Sequence, residues 1–188
     1  IKDLGNWVLR EAIRQNREWQ DAGLKAIPVS VNVSPRQFRD PGFTALVARV
    51  LTESAIEPRL VELEITESMT MGDEDRAVER LVELRNLGVQ LSIDDFGTGY
   101  SNLGYLARFP VTTLKIDRTF IRDVQTDTSM GEIARAIIGL SRALDLEIVA
   151  EGAETVEHIA FLREHGCGTV QGFYYSHPLA AADFRTAL

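Results

Sequence analysis

Short runs of aliphatic and β-branched residues alternate along the chain with longer stretches in which apolar positions recur every three or four residues. That switching is the signature of repeated βα units and a parallel sheet. It predicts six strands: Ile27 to Val33, Leu60 to Ile65, Val89 to Ile93, Thr113 to Ile116, Leu146 to Ala150, and Thr169 to Gln171 running on into Gly172. Several are apolar almost throughout, as strands covered on both faces are. The helical stretches present core faces at Phe43, Leu46, Val47, Val50 and Leu51, at Ala77, Val78, Leu81 and Leu84, and at Ile133, Ile137, Leu140 and Leu144. An opening helix offers Leu4, Trp7, Val8 and Ala12 in the same way, and both Trp7 and Trp19 are expected to pack rather than to touch a ligand. Gly88 and Gly166 directly follow helical runs, where a left-handed residue ends a helix before the next strand. The only repeat is the βα alternation, and no internal linker interrupts it.

Nearly every predicted strand ends in a polar residue that a purely structural strand does not need. In order these are Asn32, Glu64, Asp94 with Asp95, Lys115 with Asp117, Glu151 and Gln171. In a parallel α/β sheet all strand C-termini lie on one side, so these groups converge from distant parts of the sequence on the face where such folds carry chemistry. Capping of the next helix explains any single one of them, but not six together. Two negative charges about 4 Å apart repel by roughly 4 kcal/mol at an effective dielectric near 20, so such a cluster calls for a cation. The donors are an amide and carboxylates, which suit magnesium or manganese rather than zinc. Lys115 lies among apolar neighbours. It serves either as an ion pair on the sheet face or as a cation that orients a water or a phosphate oxygen.

Composition narrows the field. The 188 residues are 45% hydrophobic and 26% charged, which fits a globular domain. The net charge of −8 supplies no broad basic face, so duplex nucleic acid is not an expected partner. A single cysteine, Cys167, excludes a disulfide framework or a thiolate zinc cluster and fits a reducing, cytoplasmic setting. Neither a membrane-spanning stretch nor a leader is expected from this sequence, so this domain makes no membrane contact. His158 and His165 lie in a helical stretch and at its C-terminus, where a cation suits the carbonyl end. His177 lies after Gln171, close enough in sequence to approach the site. No serine sits in a nucleophile-elbow context.

With these residues laid out, the chain closely resembles the EAL-domain family of cyclic di-GMP phosphodiesterases. The resemblance rests on SVNVSPRQF (Ser30 to Phe38), LEITES (Leu63 to Ser68), SIDDFGTGYSNLGYL (Ser92 to Leu106), LKIDRTFI (Leu114 to Ile121), VAEGAET (Val149 to Thr155) and VQGFYYSHPL (Val170 to Leu179). It implies a (β/α)8 TIM-like barrel that hydrolyses one phosphodiester bond of cyclic di-GMP to give linear pGpG. Implied metal ligands are Asn32, Glu64, Asp94, Asp95 and Glu151, holding two Mg2+ or Mn2+ ions. Lys115, Glu151 and Asp95 are the implied catalytic residues, and Gln171, Asp117 and Gln37 the implied substrate-binding ones. Glu67 is implied to hold the loop Phe96 to Asn102, whose glycines permit more than one backbone arrangement, with Glu154 as a second glutamate near it. That loop is linked in the family to dimerisation, so a homodimer through the barrel is expected.

The name-giving Glu-Ala-Leu is not in this sequence; in the family it lies upstream of the helix that opens this chain. A (β/α)8 barrel takes about 250 residues and eight strands. Residues 1–188, with six strands, are therefore expected to be an N-terminally incomplete EAL phosphodiesterase domain. Upstream sensory or diguanylate cyclase domains are expected in the whole protein, with membrane anchoring through those domains left open. His177 stands where family members often carry lysine or arginine. The sequence favours an active metal-dependent hydrolase, then a degenerate receptor that binds the nucleotide without cleaving it, then a dimerisation module.

Overall fold

Six strands pair side by side in chain order, all parallel, in the computed structural model, which describes residues 1–99 and 103–187. The order of elements is α1 (Lys2–Asp21), β1 (Val29–Asn32), α2 (Pro35–Phe38), α3 (Phe43–Ser54), β2 (Val61–Thr66), α4 (Glu74–Asn86), β3 (Gln90–Phe96), α5 (Leu103–Leu106), β4 (Thr113–Ile116), α6 (Arg118–Arg122), α7 (Thr128–Ala143), β5 (Glu147–Glu151), α8 (Val156–Glu164), β6 (Thr169–Gln171) and α9 (Ala181–Ala187). Strand order never reverses, so the sheet has no topological switch point of the doubly wound kind. Sequential parallel strands with intervening helices are the arrangement of a TIM-like barrel. No helix among the described residues is long and apolar enough to cross a membrane.

The strands are less uniformly apolar than expected. β2 reads Val-Glu-Leu-Glu-Ile-Thr, and successive side chains in a strand point to opposite faces. Leu63, Ile65, Leu91, Ile93, Leu114 and Ile116 are at most 1% exposed and form the centre of the core with the helices. The alternate positions, Glu64, Ser92, Asp94, Thr113 and Lys115, are buried and polar. One face of the sheet is thus a hydrophobic floor for the helices, and the other carries the chemistry.

Among the helices, α3 buries Phe43, Val47, Val50 and Leu51, and α4 buries Ala77, Leu81 and Leu84, close to expectation. The expected face of α1 is corrected: Leu4, Trp7 and Val8 are exposed, and the helix buries Leu9, Ile13 and Asn16 instead. This helix has two apolar stripes, and the one facing β1 and α3 includes a polar residue. Asn16 is satisfied there, its Nδ2 donating to Ile27 O at 2.9 Å and its Oδ1 accepting from Gln20 Nε2 at 3.1 Å. Trp19 does pack, with its ring centroid 5.1 Å from that of Phe184. The face of α7 is also rotated, to Ala134, Ile137, Ile138 and Ser141, with Ile133 partly exposed. Gly88 and Gly166 have φ of +90° and +84°, the left-handed conformation expected after α4 and α8.

Candidate functional site

Consecutive residues of a regular strand point to opposite faces, so Asp94 and Asp95 could not both serve one site on an unbroken β3. The strand is not unbroken. Ile93 pairs with Leu114 and Phe96 with Ile116, leaving Asp94 and Asp95 opposite the single residue Lys115. This is a β-bulge, a device that bends the strand and re-aims its side chains. Asp95 takes a left-handed φ of +54°, which aspartate tolerates better than most residues. Its N–H donates to Asp94 Oδ1 at 3.0 Å. As a result carboxylate oxygens of Asp94, Asp95 and Glu151 lie within 4.8 Å of one another. Burial, with Asp94, Asp117 and Glu151 adding negative charge, pushes the Asp95 carboxyl above its ordinary value.

Lys115, on β4 between the two strands that carry these carboxylates, is 4% exposed. Its Nζ lies 2.6 Å from Glu64 Oε1, 2.6 Å from Glu151 Oε1 and 3.5 Å from Asp94 Oδ1. Burial opposes the ammonium charge, yet the hydrogen bonds to Glu151 and Glu64 outweigh it and raise the lysine above its ordinary pKa. One lysine therefore links β2, β3 and β5 through their carboxylates. Even so, a single positive charge faces four negative ones. The remaining donors are all oxygen and closely spaced, which fits a hard divalent ion such as Mg2+ or Mn2+.

The other predicted residues are distributed around this centre. Asn32 is in register with Glu64 on the edge strand β1 and is exposed. Gln171 is in register with Glu151 at the end of β6. Asp117 caps α6, accepting from Thr119 N–H at 2.9 Å, and also adjoins Asp95. Glu67 follows β2 and accepts the Gly97 N–H through Oε2 at 3.1 Å, so it touches the segment leaving β3. The expectation for Phe96 to Asn102 falls partly on residues 100–102, outside the described residues. Glu154 is exposed, and nothing among the described residues joins it to that segment. Gln37 is 2% exposed and forms a capping box with Ser34, its Nε2 reaching Asn6 Oδ1 at 3.1 Å. Its side chain is thus occupied in holding α2 against α1.

Beyond Glu151 a cleft of about 500 Å3 opens between the ends of β5 and β6, lined by Arg118, Glu154, Gln171, Phe173 and His177 among others. Phe173 and His177 stack with centroids 4.3 Å apart, so His177 does reach the neighbourhood of the site. His158, by contrast, sits in the first turn of α8 rather than near its end, its Nδ1 accepting the Glu154 N–H at 3.2 Å. Arg118 was missed in the sequence. Its signal was available: a cation immediately past the end of β4, on the face where the acidic strand ends gather.

Comparison with known proteins decides the family. A model described as the EAL domain matches residues 1–178. The chain belongs to the EAL domain family. It is 45% identical over 181 residues to the bifunctional diguanylate cyclase/cyclic di-GMP phosphodiesterase MucR of Pseudomonas aeruginosa, covering 96% of this chain and 26% of that protein. Among solved structures, the PaMucR phosphodiesterase in complex with c-di-GMP superposes with a TM-score of 0.94 at 44% identity, over 97% of this chain and 74% of that one. The EAL domain of Mycobacterium smegmatis DcpA gives 0.93 at 42% identity, over 98% and 83%. This EAL chain spans about a quarter of the length of the curated relatives it matches. The six parallel strands thus belong to the TIM-like barrel of that family.

Proposed function

We propose that the full-length protein, through the domain to which this EAL chain belongs, hydrolyses one phosphodiester bond of cyclic di-GMP to linear pGpG, with Mg2+ or Mn2+ held by Asp94, Asp95 and Glu151, and that residues 1–188 alone are impaired in this reaction. The observation that carries this reading is the bulge that brings two aspartates of β3 together with Glu151 of β5 around Lys115. Support for the substrate comes from relatives named as cyclic di-GMP phosphodiesterases and from the PaMucR complex. Divalent ions bound there supply Lewis acidity and lower the pKa of water. Lys115 orients the attacking water and adds positive charge beside the phosphate, while Glu64 keeps the ammonium aimed. Water oxygen forms the new P–O bond as the P–O bond to ribose breaks; the water proton passes to a neighbouring carboxylate, and the leaving ribose oxygen takes up a proton to become the hydroxyl of pGpG. Asn32 and Glu64 complete the ligand set for a second ion. Arg118 offers a cation to phosphate in the cleft, Gln171 a hydrogen bond, and Phe173 a flat surface to a base. Asp117 lies close enough to Asp95 to share substrate contact.

The same proposal makes the chain part of a cytoplasmic phosphodiesterase domain, N-terminally incomplete here, in a multidomain signalling protein that dimerises through its barrel. The test uses the full-length protein with cyclic di-GMP and either metal. Formation of pGpG is expected, with a loss of about a hundred- to a thousandfold in Asp94→Ala, the scale of removing a principal electrostatic stabiliser. Tight nucleotide binding that is indifferent to chelator, with no product, would replace this reading with a receptor.

A further inference from the structure

A second cavity, of about 260 Å3, lies behind the end of β3 on the far side of the bulge, and the reaction proposed above makes no use of it. Its walls include Glu67, Phe96, Tyr105, Leu106, Phe109 and Met71. Glu67 is 7% exposed, and its Oε1 is buried with no hydrogen-bond partner among the described residues, whereas Oε2 takes the Gly97 N–H. A carboxylate oxygen left unpaired against apolar walls is costly, and such groups in native proteins mark a missing partner. Glu74 also lines the cavity, so a second carboxylate stands nearby. An inorganic divalent ion does not fit. Among the described residues Asp94, Asp95 and Glu151 are the group spaced to hold one, and Glu67 belongs to no such group. The walls instead offer three aromatic rings, whose faces attract organic cations, and aliphatic side chains that select an apolar body. Arg108 lies over the Tyr105 ring at 4.9 Å but is held by Asp75 and does not line the cavity.

We propose that this cavity binds a small organic ammonium compound with an aromatic or branched aliphatic body, its N–H groups donating to Glu67 Oε1. A cyclic dinucleotide is too large and of the wrong charge. Because Glu67 also holds Gly97, three residues after Asp94, occupancy would bear on the segment that leaves the site. The proposal does not depend on hydrolysis, and its test is run without nucleotide or metal.

Benzylammonium and its neutral isostere benzyl alcohol would be titrated into the full-length protein by calorimetry at neutral pH. The ammonium should bind at least about tenfold more tightly, the scale of a charge-assisted hydrogen bond. Glu67→Gln should abolish that preference, and Asp94→Ala should leave it intact. Met71→Trp, which fills the cavity and keeps the carboxylate, should weaken both compounds, with circular dichroism confirming the fold of each variant. Equal affinity of the two compounds, no binding of either, or loss of the preference in Asp94→Ala but not in Glu67→Gln would overturn the assignment.

Discussion

Lys115 shows how much one side chain holds together. Its ammonium is buried among Glu64, Asp94 and Glu151, so its removal leaves charges that already lack water. Breaking a buried ion pair by deleting one partner typically costs about 3 to 5 kcal/mol. Lys115→Met should therefore lower the metal-free unfolding free energy by about that much in urea titration, and Mn2+ should restore part of it; an unchanged midpoint would show that the carboxylates are not held by the lysine. Cys167 gives a pH-dependent counterpart. Its thiol is 3% exposed, and burial raises its pKa, with backbone hydrogen bonding at Thr169 and Ala150 offsetting only part of the effect. The S–H also donates to Thr169 O at 3.3 Å, which favours the protonated form. In the unfolded chain the thiol ionises near its ordinary value of about 8.5, while the folded chain keeps its proton. The unfolded state then binds fewer protons, so stability falls as pH rises from that value through the folded pKa. Cys167→Ala should flatten the stability curve above about pH 8.5 without altering the slope near pH 7. Unfolding midpoints across that range are the check.

At the level of elements, polar residues at strand ends were readable in the sequence because the chemistry they serve overrides the apolar pattern around them. The bulge was not readable. Two adjacent aspartates look the same whether or not the strand between them is regular, and only pairing with β4 forces Asp95 into the left-handed region. The face of α1 was misread for a related reason. Leu4, Trp7 and Val8 outweigh Asn16 in any count of hydrophobicity, yet Asn16 is buried because it supplies the hydrogen bond that Ile27 O needs. Asn16→Ala should thus cost about 1 to 3 kcal/mol, the penalty of a buried carbonyl left unpaired, although it replaces a polar residue by an apolar one. Leu4→Ala, on the exposed stripe, should change stability by less than about 0.5 kcal/mol. Closeness of the backbones after β5 and β6 is another contact invisible in sequence. A Cβ at Gly172 would fall on the backbone of Ala153, whose carbonyl takes the Tyr174 N–H at 3.1 Å. Gly172→Ala should therefore loosen the segment from Phe173 to Leu179, measurable as faster amide exchange there than in β3.

For the whole molecule, strand count and direction were legible because a parallel sheet needs a helix between successive strands, and the periodicity records each switch. Their sequential order follows from pairing that no local pattern encodes. It places Glu64, Asp94 with Asp95, Lys115 and Glu151 on four adjacent strands, so the site is also a cross-link through the middle of the sheet. Metal binding should accordingly stabilise the fold as a unit. A ligand that binds only the folded state adds about 2.7 kcal/mol when present at a hundred times its dissociation constant. Mn2+ should raise the unfolding temperature of the full-length protein's EAL domain and slow amide exchange in β3 and β5 together, even though those strands are separated by β4. Chelation should reverse both effects, and Asp94→Ala should abolish them. The net charge of −8 makes non-specific cation binding the competing explanation. It is removed by repeating the titration in about 0.15 M sodium chloride, where the Debye length is about 8 Å and exposed charges are largely screened. Stabilisation that disappears in salt, or that survives Asp94→Ala, would mean the ion sits on the surface rather than at the bulge.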